Sequence, residues 1–217
     1  HLRREAQAAG RTLRTLVFMG MGEPLLNLDA VLAAIHRIGG EGLGALGWRQ
    51  LTVSTVGLVP GIDALAAADL RLNLAISLHA PDDATRARLL PAGRRYGVEE
   101  ILAAADRYQA RSGLPAIIQY CLLDGVNDSP AQARQLAALL SSRRMHVNLL
   151  RYNPTGPGLS GLAYAPSPLP VLETFLAILR EHRVVAHYRR PRGQEIAAAC
   201  GQLRREAGPI HPPGGGT

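Results

Sequence analysis

The sequence predicts an α/β protein whose parallel strands are each followed by a helix. Three observations carry that expectation. Short aliphatic and β-branched runs alternate with longer segments of helical periodicity. The runs read as nearly all apolar, as in strands covered by helices on both faces or closed into a barrel. The connections are short, and repeated strand–helix–strand order demands parallel pairing through right-handed crossovers.

In chain order the expected strands are 13–19, 50–54, 72–78, 116–123, 146–152 and 184–189. Between and after them the spacing predicts helices at 29–38, 60–67, 82–90, 98–111, 130–140 and 169–181. Asp29 precedes Ala30-Val31-Leu32 as a start signal, and Ser129-Pro130 places proline at a first helical position. Ile101, Ala104, Ala105 and Tyr108 recur at helical spacing and form a core stripe. Six such units fill about 200 residues, short of the roughly 250 of a complete eight-fold barrel. An incomplete barrel and an open doubly wound sheet both satisfy the pattern.

Composition narrows the class. The 217 residues are 47% hydrophobic and 19% charged, with a mean hydropathy of +0.03, enough to bury a core and too apolar for wholesale disorder. No apolar run reaches the roughly 18 residues of a spanning helix, so no membrane partner is expected. The chain opens His1-Leu2-Arg3 without Met or a secretory signal, and reads as a piece of a longer cytoplasmic protein. Residues 1–205 are expected to form one domain, and the Pro/Gly-rich 206–217 a disordered tail. The two cysteines, Cys121 and Cys200, are too few for a disulfide framework or a metal site.

The net charge is +7, the isoelectric point about 10.2, and every one of the 24 basic residues is Arg. An arginine surface suits RNA phosphates and bases, although GC-rich coding also explains the absence of Lys. Arg94-Arg95, Arg143-Arg144, Arg189-Arg190 with Arg192, and Arg204-Arg205 are candidate phosphate contacts; solvated surface Arg is the plainer alternative.

In parallel α/β folds ligands bind where the strands end, and the polar residues of this chain gather there. The first strand runs into Gly20-Met21-Gly22-Glu23-Pro24, and the second ends at Ser54. The third ends Ser77-Leu78-His79, and the fifth is followed by Asn153-Pro154. Singly, each has a plain reading: glycines for a turn, serines as backbone caps, Asn-Pro as a turn starter. Together they place compact polar groups on one rim, able to grip a ligand with ammonium, carboxylate and hydroxyl groups. Cys200, between Ala199 and Gly201, reads either as a small buried thiol or as a nucleophile with room for a bulky substrate. Cys121 reads as core packing.

These segments resemble a known family. FMGMGEPLLN at 18–27, LTVSTVG at 51–57, LAISLHAPDD at 74–83, DGVNDS at 124–129, VNLLRYNP at 147–154 and RGQEIAAACGQL at 192–203 are similar to the radical S-adenosylmethionine RNA methylases of the RlmN/Cfr family. The resemblance implies a partial (β/α) barrel with its first strand and cluster loop lying upstream of His1. It implies that Gly22 and Glu23 hold the methionine end of S-adenosylmethionine, and that Ser54, Ser77, Leu78, His79 and Asn153 complete the cofactor site. Cys200 matches the cysteine that becomes methylated on sulfur.

The family's chemistry further implies a 4Fe-4S cluster held by cysteines upstream of this chain, and an electron donor such as flavodoxin. A radical generated from a second cofactor molecule takes hydrogen from the methylated cysteine, whose methylene radical adds to an adenine ring carbon. The implied substrates are 23S ribosomal RNA and also transfer RNA; a monomer is expected. Gln119 stands where family members often carry Glu, and Glu195 where Asp is usual. Gln119 and Arg151 incline to the carbon-8, antibiotic-resistance branch and Pro24 to the carbon-2 branch, which is the preferred reading. A degenerate, non-catalytic RNA-binding relative is the alternative of a different class.

Overall fold

The computed structural model of the chain describes residues 2–19, 22–39, 46–90, 94–154 and 163–190. Its strands are β1 (Leu16–Phe18), β2 (Leu51–Thr55), β3 (Asn73–Ser77), β4 (Ala116–Leu122), β5 (Met145–Arg151) and β6 (Val185–Arg189). Its helices are α1 (Leu2–Ala8), α2 (Leu28–Gly39), α3 (Val59–Ala67), α4 (Asp83–Leu89), α5 (Val98–Ser112), α6 (Pro130–Leu140) and α7 (Leu169–Glu181). All the expected strands and helices are present, with ends shifted by up to three residues. α1 was not anticipated, nor was a 3-10 turn at Pro24–Asn27 that carries the chain into α2. Asp29 therefore lies inside the first turn of α2 instead of capping it. Ser129 does cap α6: its hydroxyl accepts from the Gln132 amide at 3.2 Å, while Gln132 Oε1 accepts from the Ser129 amide at 3.1 Å.

The strands are ordered β1 to β6 without interruption, and every neighbouring pair is parallel. A doubly wound sheet would reverse its strand order at a switch point. The unbroken order instead winds one way, as a partial barrel.

Burial alternates along the strands. Leu51 and Val53, Leu74 and Ile76, Ile118 and Tyr120, and Val147 and Leu149 are fully buried on the outer side, beneath the helices. Tyr120 packs against Phe175 of α7 with ring centroids 5.2 Å apart. Such side chains stabilise by about 1.5–3 kcal/mol each when removed from water. The residues between them face the inner side and are mostly polar: Thr52 and Ser54, Asn73 and Ser77, Gln119 and Cys121, His146 and Asn148. Cys121 is thus on the inner face and half-buried, not in the core. Register aligns Ser77, Gln119, Asn148 and His187 in one row across four strands.

Among the described residues no helix is long and apolar enough to cross a membrane. At the end of β2 the chain turns through Gly57 at φ +100°, where an added Cβ would meet Ile101 Cδ1 at 2.7 Å. Gly57→Ala is expected to lower unfolding stability by about 1–3 kcal/mol, from backbone strain and overpacking together. Denaturant unfolding checks this, and an unchanged midpoint would show that the turn relaxes freely.

Candidate functional site

The rim is assembled by backbone-directed polar groups. Gly22, at φ +109°, delivers Glu23 to the end of β1; no atom would crowd a Cβ there, so conformation and not space calls for glycine. Glu23 Oε1 accepts from the Leu25 amide at 3.0 Å and Oε2 from the Val56 amide at 2.8 Å. One carboxylate thus caps the 3-10 turn and ties the β1 loop to the end of β2, with lone pairs remaining on both oxygens. Beside it a cleft of about 470 Å³ runs along β1, lined by Val17, Met19, Gly22, Glu23 and Asn27 among others. Gly20 and Met21 lie outside the described residues.

Ser54 and Ser77 do not cap the backbone. At β2 that task falls to Thr55, whose Oγ1 accepts from the amides of Gly57 at 3.1 Å and Leu58 at 3.3 Å. Among the described residues the hydroxyls of Ser54 and Ser77 and the Gln119 amide have no hydrogen-bond partner. Ser54 is only 8% exposed and Gln119 5%, and Ser77 is partly buried, so these groups stand unbonded at the edge of solvent. Leu78 points its side chain into the core and offers the rim only its backbone, whose amide donates to the Gln119 carbonyl at 3.1 Å. Asn153 stands two residues beyond β5, partly buried.

His79 holds a left-handed backbone at φ +59°. Its Nδ1 accepts from the Cys121 amide at 2.9 Å, and its carbonyl accepts from Asn127 Nδ2 at 2.7 Å. Burial, and secondarily the positive charge of Arg86, push the imidazole pKa down to about 4. Arg86 is itself fully buried; its Nη2 donates to the Val56 carbonyl and, at 3.5 Å, to the Ser77 carbonyl, stapling the ends of β2 and β3. Burial also raises the Cys121 thiol to about 12, leaving it un-ionised at neutral pH.

Several residues with a stabilising task were not anticipated. Thr55 and Asn127 lie in segments 51–57 and 124–129, noted only for their family resemblance, and Arg86 in neither; the Asp/Asn-rich composition of 124–129 is a signal of local side-chain bonding to backbone that could have found Asn127. Other expectations take a structural meaning. Arg143 is ion-paired to Glu99 and, at 3.1 Å, to Asp106, so it is not free for phosphate. Arg151 donates to the Ser167 carbonyl at 3.0 Å. Arg94, Arg95, Arg144, Arg189 and Arg190 are exposed. Cys200, Arg192, Arg204 and Arg205 and the 206–217 tail lie outside the described residues.

The sequence pattern of the radical SAM superfamily matches residues 1–137, more than half of the chain. This chain belongs to the radical SAM superfamily. It is 68% identical over 209 residues to a probable dual-specificity RNA methyltransferase RlmN 1 of Opitutus terrae, covering 96% of this chain and 59% of that protein. It is 53% identical over 197 residues to a probable dual-specificity RNA methyltransferase RlmN of a Parafrankia strain, covering 89% and 50% respectively. The chain thus spans about half the length of the curated relatives it matches.

The crystal structure of a radical SAM methyltransferase from Sphaerobacter thermophilus superposes with a TM-score of 0.86 at 43% identity, covering 92% of this chain and 57% of that one. A domain of pyruvate-formate lyase-activating enzyme from Bacteroides vulgatus shares the fold alone, with a TM-score of 0.61 at 22% identity, over 81% of this chain and 99% of that one.

In this radical SAM chain the neutral His79 links folding to pH. Its folded pKa of about 4 lies below the ordinary 6.5, so the unfolded chain binds the extra proton between those values. The stabilisation is complete above pH 6.5 and is lost as pH falls towards 4, by on the order of 3 kcal/mol. Urea unfolding across that range should show the loss, and His79→Gln should flatten it. An equally steep acid limb in the variant would assign the effect elsewhere.

Proposed function

We propose that this chain is the S-adenosylmethionine-binding and methyl-carrying part of an enzyme that methylates carbon-2 of an adenine in 23S ribosomal RNA and in transfer RNA. The observation that carries the reading is the 68% identity over 209 residues to a protein named a probable dual-specificity RNA methyltransferase. Pro24 in the 18–27 segment is the residue that supports carbon-2.

The rim suits the cofactor in kind. Glu23 keeps carboxylate lone pairs for an ammonium, and Ser54 and Ser77 hold hydroxyls that the fold itself leaves unbonded. Leu78 contributes backbone, His79 a neutral ring, and Gly22 and Asn153 complete the rim. The 4Fe-4S cluster does not fit this chain's own donors. It needs more thiolates than the two cysteines present, and among the described residues no three His, Cys, Asp or Glu gather at a metal-binding spacing.

When bound, S-adenosylmethionine supplies the methyl group and the hydrogen-abstracting radical that electron-poor ring carbons require. The chain's own part is to orient and to exclude water. Glu23 fixes the charged end of the ligand near β1, and the Ser54 and Ser77 hydroxyls fix its uncharged part along β2 and β3. Cys200 takes the methyl group on sulfur and carries it to the base, its neighbours Ala199 and Gly201 being small enough to let both approach. The exposed Arg94, Arg95, Arg189 and Arg190 face solvent as phosphate contacts for RNA. The proposed setting is the cytoplasm, with flavodoxin or a similar protein as electron donor.

In the full-length protein, Cys200→Ala should abolish methyl transfer to RNA and leave the dissociation constant for S-adenosylmethionine within about twofold. Mass analysis of digested RNA reads the transfer, and retained 2-methyladenosine would remove Cys200 from the reaction. Glu23→Gln should weaken S-adenosylmethionine binding by about 10–100-fold, the worth of a charge-assisted hydrogen bond. Calorimetric titration checks it, and unchanged affinity would leave Glu23 only its tie between β1 and β2.

A further inference from the structure

We infer that Asn127 is a positioning residue that holds His79 as a fixed hydrogen-bond donor, with its Nε2–H reserved for an acceptor atom of the bound ligand. The inference rests on the reading that His79 belongs to the S-adenosylmethionine site. Asn127 is fully buried at the turn after β4, and both hydrogens of its amide are used. Nδ2 donates to the His79 carbonyl at 2.7 Å and to the Cys121 carbonyl at 2.8 Å. Oδ1 accepts from the Leu123 amide at 2.7 Å, and the Asn127 carbonyl accepts from the Tyr120 hydroxyl at 2.7 Å. One side chain therefore grips the two residues that meet at the imidazole, because the Cys121 amide donates to His79 Nδ1 at 2.9 Å.

That last bond sets the tautomer. A ring nitrogen that accepts from a backbone amide carries no proton, so in the neutral ring the proton is on Nε2. Among the described residues Nε2 has no hydrogen-bond partner. The left-handed backbone of His79 at φ +59° is unfavourable for a β-carbon residue and persists only when its surroundings over-determine it. The two Asn127 donor bonds supply that determination. A neutral N–H donor suits a carboxylate or hydroxyl oxygen of the ligand and would not attract its sulfonium or ammonium.

The test uses the full-length protein, with histidine labelled with ¹⁵N and S-adenosylmethionine as the titrant. In the wild type, two-bond ¹⁵N–¹H spectra should show His79 as the single Nε2–H tautomer. Asn127→Asp keeps an oxygen for the Leu123 amide and removes both donors; Asn127→Ala removes the whole clamp. Both should give mixed tautomers and a dissociation constant raised about tenfold, the size of one well-placed hydrogen bond. A mere loss of stability would leave the tautomer of the folded fraction unchanged. Folded Asn127 variants that keep one tautomer and full affinity would overturn the inference alone, provided that His79→Ala weakens binding. Should His79→Ala bind as the wild type does, the place of His79 in the cofactor site falls, and this inference with it.

Discussion

Parallel pairing is the constraint on which the rest of this structure depends. Because β1 to β6 run in one direction, each chain segment leaving a strand does so at the same rim. The outer face of the sheet is consumed by helix packing, with Leu51, Ile76, Ile118 and Leu149 fully buried. Polar side chains can then stand only on the inner face and at the rim. That division places Ser54, Ser77, Gln119 and Asn148 on a shared surface although they are far apart in sequence.

A rim made of separate loops needs ties across it, and the ties here are polar groups bonded to backbone. Glu23 joins the β1 loop to Val56, Arg86 joins the ends of β2 and β3, and Asn127 joins His79 to the turn after β4. Each bonds to main-chain amides or carbonyls, so the geometry it fixes survives changes in neighbouring side chains. Burying the Arg86 guanidinium is costly in isolation. Here it satisfies the carbonyls of Val56 and Ser77 at the strand ends.

How much of this was legible in the sequence follows from what each feature depends on. The strands and helices were, because apolar runs and helical stripes are local; Ile101, Ala104, Ala105 and Tyr108 are all buried as their spacing required. The choice between barrel and doubly wound sheet was not, because it is made by strand order and not by any single strand. At the site, the expectation that polar groups meet at the rim came from strand direction; the fold ties Glu23 to the Val56 amide and His79 to the Cys121 amide. Which of two adjacent hydroxyls would cap β2 was settled by the phase of the strand: Thr55 lies over its own turn, while Ser54 faces inward. The same phase moved Cys121 from the core to the inner face. Arg143 looked like a free surface cation because its partners Glu99 and Asp106 sit on α5, 37 or more positions away in sequence.

The electrostatics of the rim combine an anionic group, a cationic group and a neutral imidazole. A protonated imidazole at His79 would set a second positive charge beside Arg86, and two features keep that proton off. Burial removes the water that would solvate the charged ring, and Arg86 supplies a fixed positive charge nearby. The Cys121 amide then occupies Nδ1 as a donor, which a protonated ring could not accept. Arg86 thus has two effects from one position, bracing the ends of β2 and β3 and helping to hold His79 neutral. Glu23, across the rim at β1, is left as the group of opposite sign. Such an arrangement, a carboxylate at β1 and a buried guanidinium at the ends of β2 and β3, can orient a ligand that carries charges of both signs before any specific hydrogen bond forms.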